Sequence, residues 1–257
     1  MKELTLDEKK RIMVDILTDI DEFCRENKIR YSICSGTLLG AVRHGGFIPW
    51  DDDADLFMPR EDFDRFVESY NSQKYHLVYK TKNKDEFLNA GYAKVSDPAT
   101  FRVNKRSKAK YGVFVDVFPL DKVPEDAERR KKYMRKVMHY HNRLHHRQQR
   151  DLISIIKSYS HSLDWWIKKC EKTIEEGRND ETPLIAHLLG TRDDRTVIDR
   201  KRFDNMSEIE FEGRRFMAID DPHSYLAMVY GDDYMTPPPE NKRHIHGDRI
   251  YRTEKKD

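Results

Sequence analysis

Cys34-Ser35-Gly36-Thr37-Leu38-Leu39-Gly40-Ala41-Val42-Arg43-His44-Gly45-Gly46-Phe47-Ile48-Pro49-Trp50-Asp51-Asp52-Asp53-Ala54-Asp55-Leu56 is the stretch on which the reading of this chain turns. A short β-prone segment, Ile29 to Ser35, runs into a turn of small residues at Gly36. Thr37 is placed to cap a helix through about His44, and Gly45-Gly46 ends it. Pro49 disfavours helix at the residue before it, so Phe47-Ile48-Pro49-Trp50 reads as an extended connector. Ala54 to Met58 then alternates as a strand does, and Pro59 closes it. A helix start offers backbone N–H groups to an anion. An acidic run offers oxygen ligands to a hard divalent cation. A phosphate holder and a metal holder this close together predict the active site of a phosphoryl-group transferase.

On a strand, positions i and i+2 share a face, so the carboxylates of Asp53 and Asp55 converge. Adjacent carboxylates repel unless a cation sits between them. Mg²⁺ (or Mn²⁺) suits the pair, because it takes oxygen ligands, keeps waters and bridges to phosphates. The competing reading, a solvated acidic turn, sits poorly with a glycine turn before the pair and an apolar strand after it. Asp116 lies inside Val113-Phe114-Val115-Asp116-Val117-Phe118, a β-prone run that Pro119 is expected to end. An unpaired carboxylate there is costly. A shared metal or a general-base role gives it a purpose, and pairing to an arginine at a strand end is the alternative. If Asp116 joins Asp53 and Asp55, two strands bring three acids to one cluster, a layout for metal-assisted phosphoryl transfer. Ser35, Gly36 and Thr37 are the candidate phosphate turn, by close backbone approach and two hydroxyls. No Gly-Lys-Ser/Thr follows, so this is not a Walker A loop. Lys94, Arg43 and Arg243 are candidate phosphate contacts, each as readily a surface charge. Trp50, Tyr92 and Tyr111 are aromatic enough to cage a quaternary ammonium, or else to pack.

Working outward, residues 5–29 form an amphipathic helix with Leu6, Ile12, Met13, Ile16, Leu17, Ile20 and Phe23 at helical spacing, capped by Thr5 or Asp7. Arg60 to Tyr70 is a second helix. Tyr75 to Lys80 and Gly91 to Val95 read as strands, and Phe101 to Lys110 as a basic loop or hairpin. Residues 125–180 are charged and helical in pattern, with two or three helices whose breaks the pattern does not fix. Short β-like pieces return over 195–219. Asp221 caps a helix from Pro222 to Tyr230, followed by a rigid loop to Pro239. The expected division is a catalytic domain from 1–122 plus 195–250 and a mainly helical subdomain at 123–194. His139, His141, His145 and His146, and the separate His244 and His246, have no cysteine beside them and stand among arginines. They read as solvated basic faces rather than a zinc site.

The 257 residues carry 48 Lys plus Arg against 46 Asp plus Glu, a net +2 that argues against a dedicated nucleic-acid binder. Three cysteines without a CxxC suggest neither a disulfide framework nor a zinc ribbon and fit a reduced, cytoplasmic setting. The N-terminus lacks the apolar core of a signal peptide, and no segment is apolar enough to span a bilayer.

Gly36-Thr37-Leu38-Leu39-Gly40, Arg43 through Asp55, and Phe114-Val115-Asp116-Val117-Phe118-Pro119-Leu120 together resemble the LicD family of phosphotransferases. Tyr230-Gly231-Asp232-Asp233-Tyr234-Met235 and Pro238-Pro239-Glu240 resemble that family's closing segment. The resemblance runs from about residue 30 to 246, with a weaker helical middle. It implies an α/β (α+β) nucleotidyltransferase-type fold, a small mixed sheet with flanking helices and here a helical insertion. It also implies transfer of phosphorylcholine, or of ribitol or glycerol phosphate, from a CDP-activated donor to a hydroxyl of a cell-surface glycan or teichoic acid precursor, with release of CMP. By motif match Asp53 and Asp55 become the metal pair and Asp116 the third carboxylate. Ser35, Gly36 and Thr37 take the phosphate turn, while Asp51, Asp52 and Trp50 support the loop. The expected partners are a CDP-linked donor and a glycan or lipid-linked glycan acceptor, with peripheral contact at the inner membrane face. Two other readings stay open. A true nucleotidyltransferase would use the same acids and release pyrophosphate, and a catalytically silent binding protein would not need them.

Overall fold

The computed structural model describes residues 2–79, 91–103, 111–148, 152–153, 156, 159–189, 194–243, 247 and 249–253. The N-terminal helix α1 (Leu6–Glu26) starts at Thr5. The Thr5 hydroxyl accepts from Glu8 N–H while the Glu8 carboxylate accepts from Thr5 N–H, a reciprocal cap. Its buried stripe of Met13, Ile16, Leu17, Ile20 and Cys24 continues the apolar spacing seen in the sequence. Strand β1 (Ser32–Ile33) leads to helix α2 (Ser35–His44), which ends on Gly45 in the left-handed region. Strand β2 (Asp55–Pro59) runs directly into helix α3 (Arg60–Ser69).

Strands β3 (His76–Val78), β4 (Ala93–Ser96) and β6 (Phe114–Lys122) complete a mixed sheet in the order β1-β2-β6-β4-β3. Only β2 and β6 pair in parallel within that path, with Asp55 opposite Asp116 and Phe57 opposite Phe118. Strand β5 (Thr100–Val103) pairs instead with the late strand β11 (Arg249–Arg252), so part of the expected basic loop is a ribbon edge. The rest of that loop, 104–110, lies outside the described residues.

Pro119 does not end its strand; β6 continues to Lys122. Asp116 N–H donates to Ala54 C=O, so the N–H groups of 116, 118 and 120 face β2 and those of 115, 117 and 119 face the opposite edge. Strand β4 leaves that edge at Ala93–Val117. Strand β7 (Leu184–Ala186) takes it up at Asp121. The missing donor of Pro119 therefore falls in a gap where no partner strand asks for one.

The alternation of β2, β6 and β4 gives the sheet two unlike faces. Leu56, Met58, Val115, Val117 and Val95 join the main core with α1 and α3, where Phe63 meets Tyr79 and Phe23 meets Phe66 edge to face. The other face carries Asp55, Asp116 and Lys94, and is the face that matters below. A second core gathers around α4 (Ala127–Gln148) and α5 (Leu163–Arg178), with Val137, Leu144, Trp166, Cys170 and Ile174. Strand β8 (Val197–Asp199) extends from β7, the hairpin β9 (Ser207–Phe211) and β10 (Arg214–Ala218) follows, and Asp221 caps α6 (Pro222–Tyr230) as expected. No helix among the described residues is long and apolar enough to cross a membrane.

Candidate active site

Register places functional side chains in ranks across the sheet. Asp55 on β2, Asp116 on β6 and Lys94 on β4 are successive Cα partners. One rank further along, Phe57 and Phe118 are partners, and the ring of Tyr92, two residues before Lys94, packs 4.8 Å from Phe118. The Lys94 ammonium donates to Asp116 Oδ1 at 2.5 Å, and both side chains are buried. That ammonium also sits 3.6 Å from the Phe114 ring centroid, 5.2 Å from Tyr111 and 5.3 Å from Tyr92. Lys94 thus serves Asp116 directly, and two of the rings expected to cage a substrate cation already face this lysine.

Asp55 is fixed through its backbone. Its N–H donates to the Thr37 hydroxyl at 2.9 Å and its C=O accepts from Cys34 N–H at 3.1 Å. Thr37 is therefore not the helix cap. The helix starts two residues earlier, at Ser35, whose φ of +49° makes the sharp entry, and the buried Thr37 hydroxyl locks the first turn of α2 to β2. Cys34 holds the cap position without a side-chain bond. Gly36 has a steric reason: a Cβ there would stand 2.7 Å from Asp51 Oδ2. The Asp51 carboxylate thus lies against the first turn of α2, where a helix favours negative charge. Asp52 Oδ2 accepts from Gly247 N–H at 3.2 Å, drawing the C-terminal segment over the acidic loop.

Burial comes first in pushing the Asp55 carboxyl well above its ordinary range; the charges of Asp53 and Asp116 add to it, and Lys94 opposes it. The Tyr230 phenol is raised by burial and then by Asp55, Cys34, Asp51 and Asp53, which puts it beside the same acids. Among the described residues no three carboxylates, imidazoles or thiolates stand close enough to hold a metal ion, and Asp116 pairs with Lys94. The donor chemistry still suits a hard cation. Mg²⁺ needs only one or two carboxylates when substrate phosphates complete its shell, and Asp53 with Asp55 supply acidic oxygens where negative charge is in excess.

The two candidate arginines are engaged with the protein. Arg43 donates to Tyr234 C=O at 2.7 Å. Arg243 lies 4.1 Å over the Trp50 ring and bonds Pro238 C=O and Glu240. Arg43 fastens the closing segment to the last turn of α2, and Arg243 fastens it to Trp50 beside the acids. His141 turns inward rather than forming a solvated face: its ring is 6.2 Å from Tyr92, and burial takes the imidazole down to about 4. His187, which the sequence reading passed over, packs with its ring tilted 40° and centred 4.1 Å from Phe118, and burial takes it to about 3. His141 Nδ1 and His187 Nε2 are buried without a hydrogen-bond partner. His244 and His246 lie outside the described residues. Tyr230 was also passed over as a site residue, although it opens the Tyr-Gly-Asp-Asp-Tyr segment that carries part of the resemblance. Phe114 was within reach as well, since it precedes Asp116 by one strand period.

A family model described as LicD/FKTN/FKRP, nucleotidyltransferase domain, matches residues 28–165. The chain is 30% identical over 284 aligned positions, 98% of this chain and 99% of the relative, to a lipopolysaccharide cholinephosphotransferase LicD of Haemophilus influenzae. Shorter similarities of 38% over 92 residues, 35% of this chain and 29% of the relative, and of 44% over 63 residues, 24% of each, link it to uncharacterized proteins of Rickettsia typhi and Rickettsia prowazekii.

Proposed function

The chain belongs to the LicD family, and from that premise we propose that it moves a substituted phosphate, phosphorylcholine first among the candidates, from a CDP-linked donor to a hydroxyl of a cell-surface glycan, releasing CMP. The observation that carries the reading is the Asp55–Asp116–Lys94 rank, which lies within the stretch the family model matches. The full-length similarity to a relative named for lipopolysaccharide and cholinephosphate transfer supplies the choice of group and acceptor.

Asp53 and Asp55 are the residues that would hold Mg²⁺ or Mn²⁺. When bound, the ion supplies neutralisation of the diphosphate and of the charge that develops on departing CMP. Thr37 and Cys34 fix the Asp55 backbone, which keeps the base of its side chain beside Asp116. Ser35 and Gly36, in the first turn of α2, take the donor's phosphate oxygens, with the bound ion offsetting the Asp51 carboxylate that lies against that turn. Asp116 accepts the proton of the acceptor hydroxyl as its oxygen bonds to phosphorus and the bond to the CMP oxygen breaks. The Lys94 ammonium holds that carboxylate in place.

The test is incubation with CDP-choline, CDP-ribitol and CDP-glycerol in the presence of Mg²⁺, with CMP followed by chromatography. CMP from at least one donor is expected, and Asp55→Asn abolishes it. Pyrophosphate from a nucleoside triphosphate, with no CMP from any donor, would make the chain a nucleotidyltransferase instead.

A further inference from the structure

On the same face of the sheet as Asp116 and Lys94, at the β3–β4 edge, lies a cavity of about 250 Å³. His76 pairs with Ser96 and Val78 with Lys94, so the β3 side chains that line it share a face with the acidic rank. Phe101, Tyr111 and Asp97 complete the walls that concern us. Strands stand about 4.8 Å apart, so the cavity begins one to two strands away from Asp116. It is too small for a nucleotide and large enough for a headgroup.

Its floor is rigid. Gly112 N–H donates to the Ser96 hydroxyl and Val113 N–H to the Thr100 hydroxyl, which itself donates to Asp97 C=O. A Cβ at Gly112 would stand 2.1 Å from Thr100 Oγ1 and 2.3 Å from Asp97 C=O, so the turn closes only over glycine. Asp97 is 9% exposed. Its Oδ1 accepts from Ala99 N–H at 2.8 Å, and among the described residues no ion pair reaches the carboxylate. A buried acid is ordinarily paired. The nearby cations are committed: Lys94 to Asp116, and Arg102 to the Tyr111 hydroxyl at 2.5 Å. What remains is a carboxylate beside the rings of Phe101 and His76, the combination that receives a weakly hydrated organic cation, while Tyr111, whose ring already meets Lys94 and Arg102, only closes the wall.

We propose that this cavity seats the quaternary ammonium of the donor, with Asp97 as its counter-charge and the rings of Phe101 and His76 as its aromatic walls. The proposal rests on the reading of the chain as a transferase of substituted phosphates. In phosphocholine only an oxygen and two carbons separate phosphorus from nitrogen, and that short arm suits a seat next to the acidic rank.

The test uses the full chain and two variants, Asp97→Asn, which keeps an acceptor for Ala99 N–H, and Phe101→Leu, with circular dichroism to establish folding. Binding of tetramethylammonium chloride is measured by calorimetry, and KM is measured for CDP-choline and CDP-ribitol. Both variants are expected to weaken tetramethylammonium and to raise the CDP-choline KM about tenfold, a factor worth about 1.4 kcal/mol, with little effect on the CDP-ribitol KM. Equal shifts for the two donors, or none for CDP-choline, overturn the seat. If CMP is released from CDP-choline but neither variant alters tetramethylammonium binding, the seat falls and the activity stands. If no donor yields CMP while tetramethylammonium binds in an Asp97-dependent way, the activity falls and the seat stands.

Discussion

Lys94→Met is the change that most sharply separates what the Lys94–Asp116 pair does for the fold from what it does for the reaction. The two groups meet at 2.5 Å, with Lys94 3% and Asp116 9% exposed. Methionine fills the space of the lysine stem and removes only the charge and the donor. Deleting one partner of a buried pair costs about 3–5 kcal/mol, because the other charge is left uncompensated. A chain of this size loses roughly 2–4 °C in Tm for each kcal/mol, so a fall of about 10 °C is expected. Lys94→Met/Asp116→Asn removes both charges and recovers most of the stability, yet stays inactive because nothing accepts the hydroxyl proton. Thermal unfolding of the parent, both single variants and the double variant gives the coupling. Single losses that simply add in the double variant, or a Lys94→Met protein as stable as the parent at pH 8, would refute the argument.

Thr37→Val leaves the Asp55 N–H without its acceptor; a loss of about 1–3 kcal/mol in urea unfolding is expected, with lower turnover, and Thr37→Ser restores both. Asp55→Asn, in the presence of a chelator, should melt above the chelated parent, because burial and the neighbouring acids make the native carboxylate costly. A lower Tm would contradict this. His187 is neutral in the fold, its pKa taken to about 3 by burial, below the unfolded value. The unfolded chain therefore binds the extra proton, and stability is lost as pH falls below about 6.5, by roughly 1.4 kcal/mol per pH unit. Denaturant titrations of His187→Phe between pH 7 and 5 should show a shallower decline. Trp50→Ala removes the surface under Arg243; it should raise the donor KM several-fold with little change in Tm.

Asp55 and Asp116 were legible because a two-residue period needs no tertiary knowledge, whereas Asp53, expected on the same strand face as Asp55, precedes β2 and belongs to the acidic loop, where no strand period applies. The capping of α1 by Thr5 and of α6 by Asp221 was legible for the same reason, each being settled within one helical turn. What lay beyond reach depended on partners far away in the chain. Thr37 looked like a cap because it follows a glycine, yet its hydroxyl is taken by a backbone N–H eighteen positions on. Pro119 looked like a stop, and only the arrangement of β4 and β7 along one edge makes it harmless. Arg43 and Arg243 were read as phosphate contacts or surface charges, and the carbonyl and the indole they meet belong to segments that no local pattern brings near.

Strand β6 serves two neighbours in turn, β4 along its first half and β7 at its end. Its penultimate residue Asp121 is gripped at 2.6 Å by both Nε and Nη2 of Arg60 and lies 4.0 Å from Arg178 of α5. One backbone thus threads the catalytic sheet and the helical half, so heat cannot loosen either without tugging the other. Calorimetry should record one endotherm rather than two, and excising the helices would unravel the end of the strand that bears Asp116.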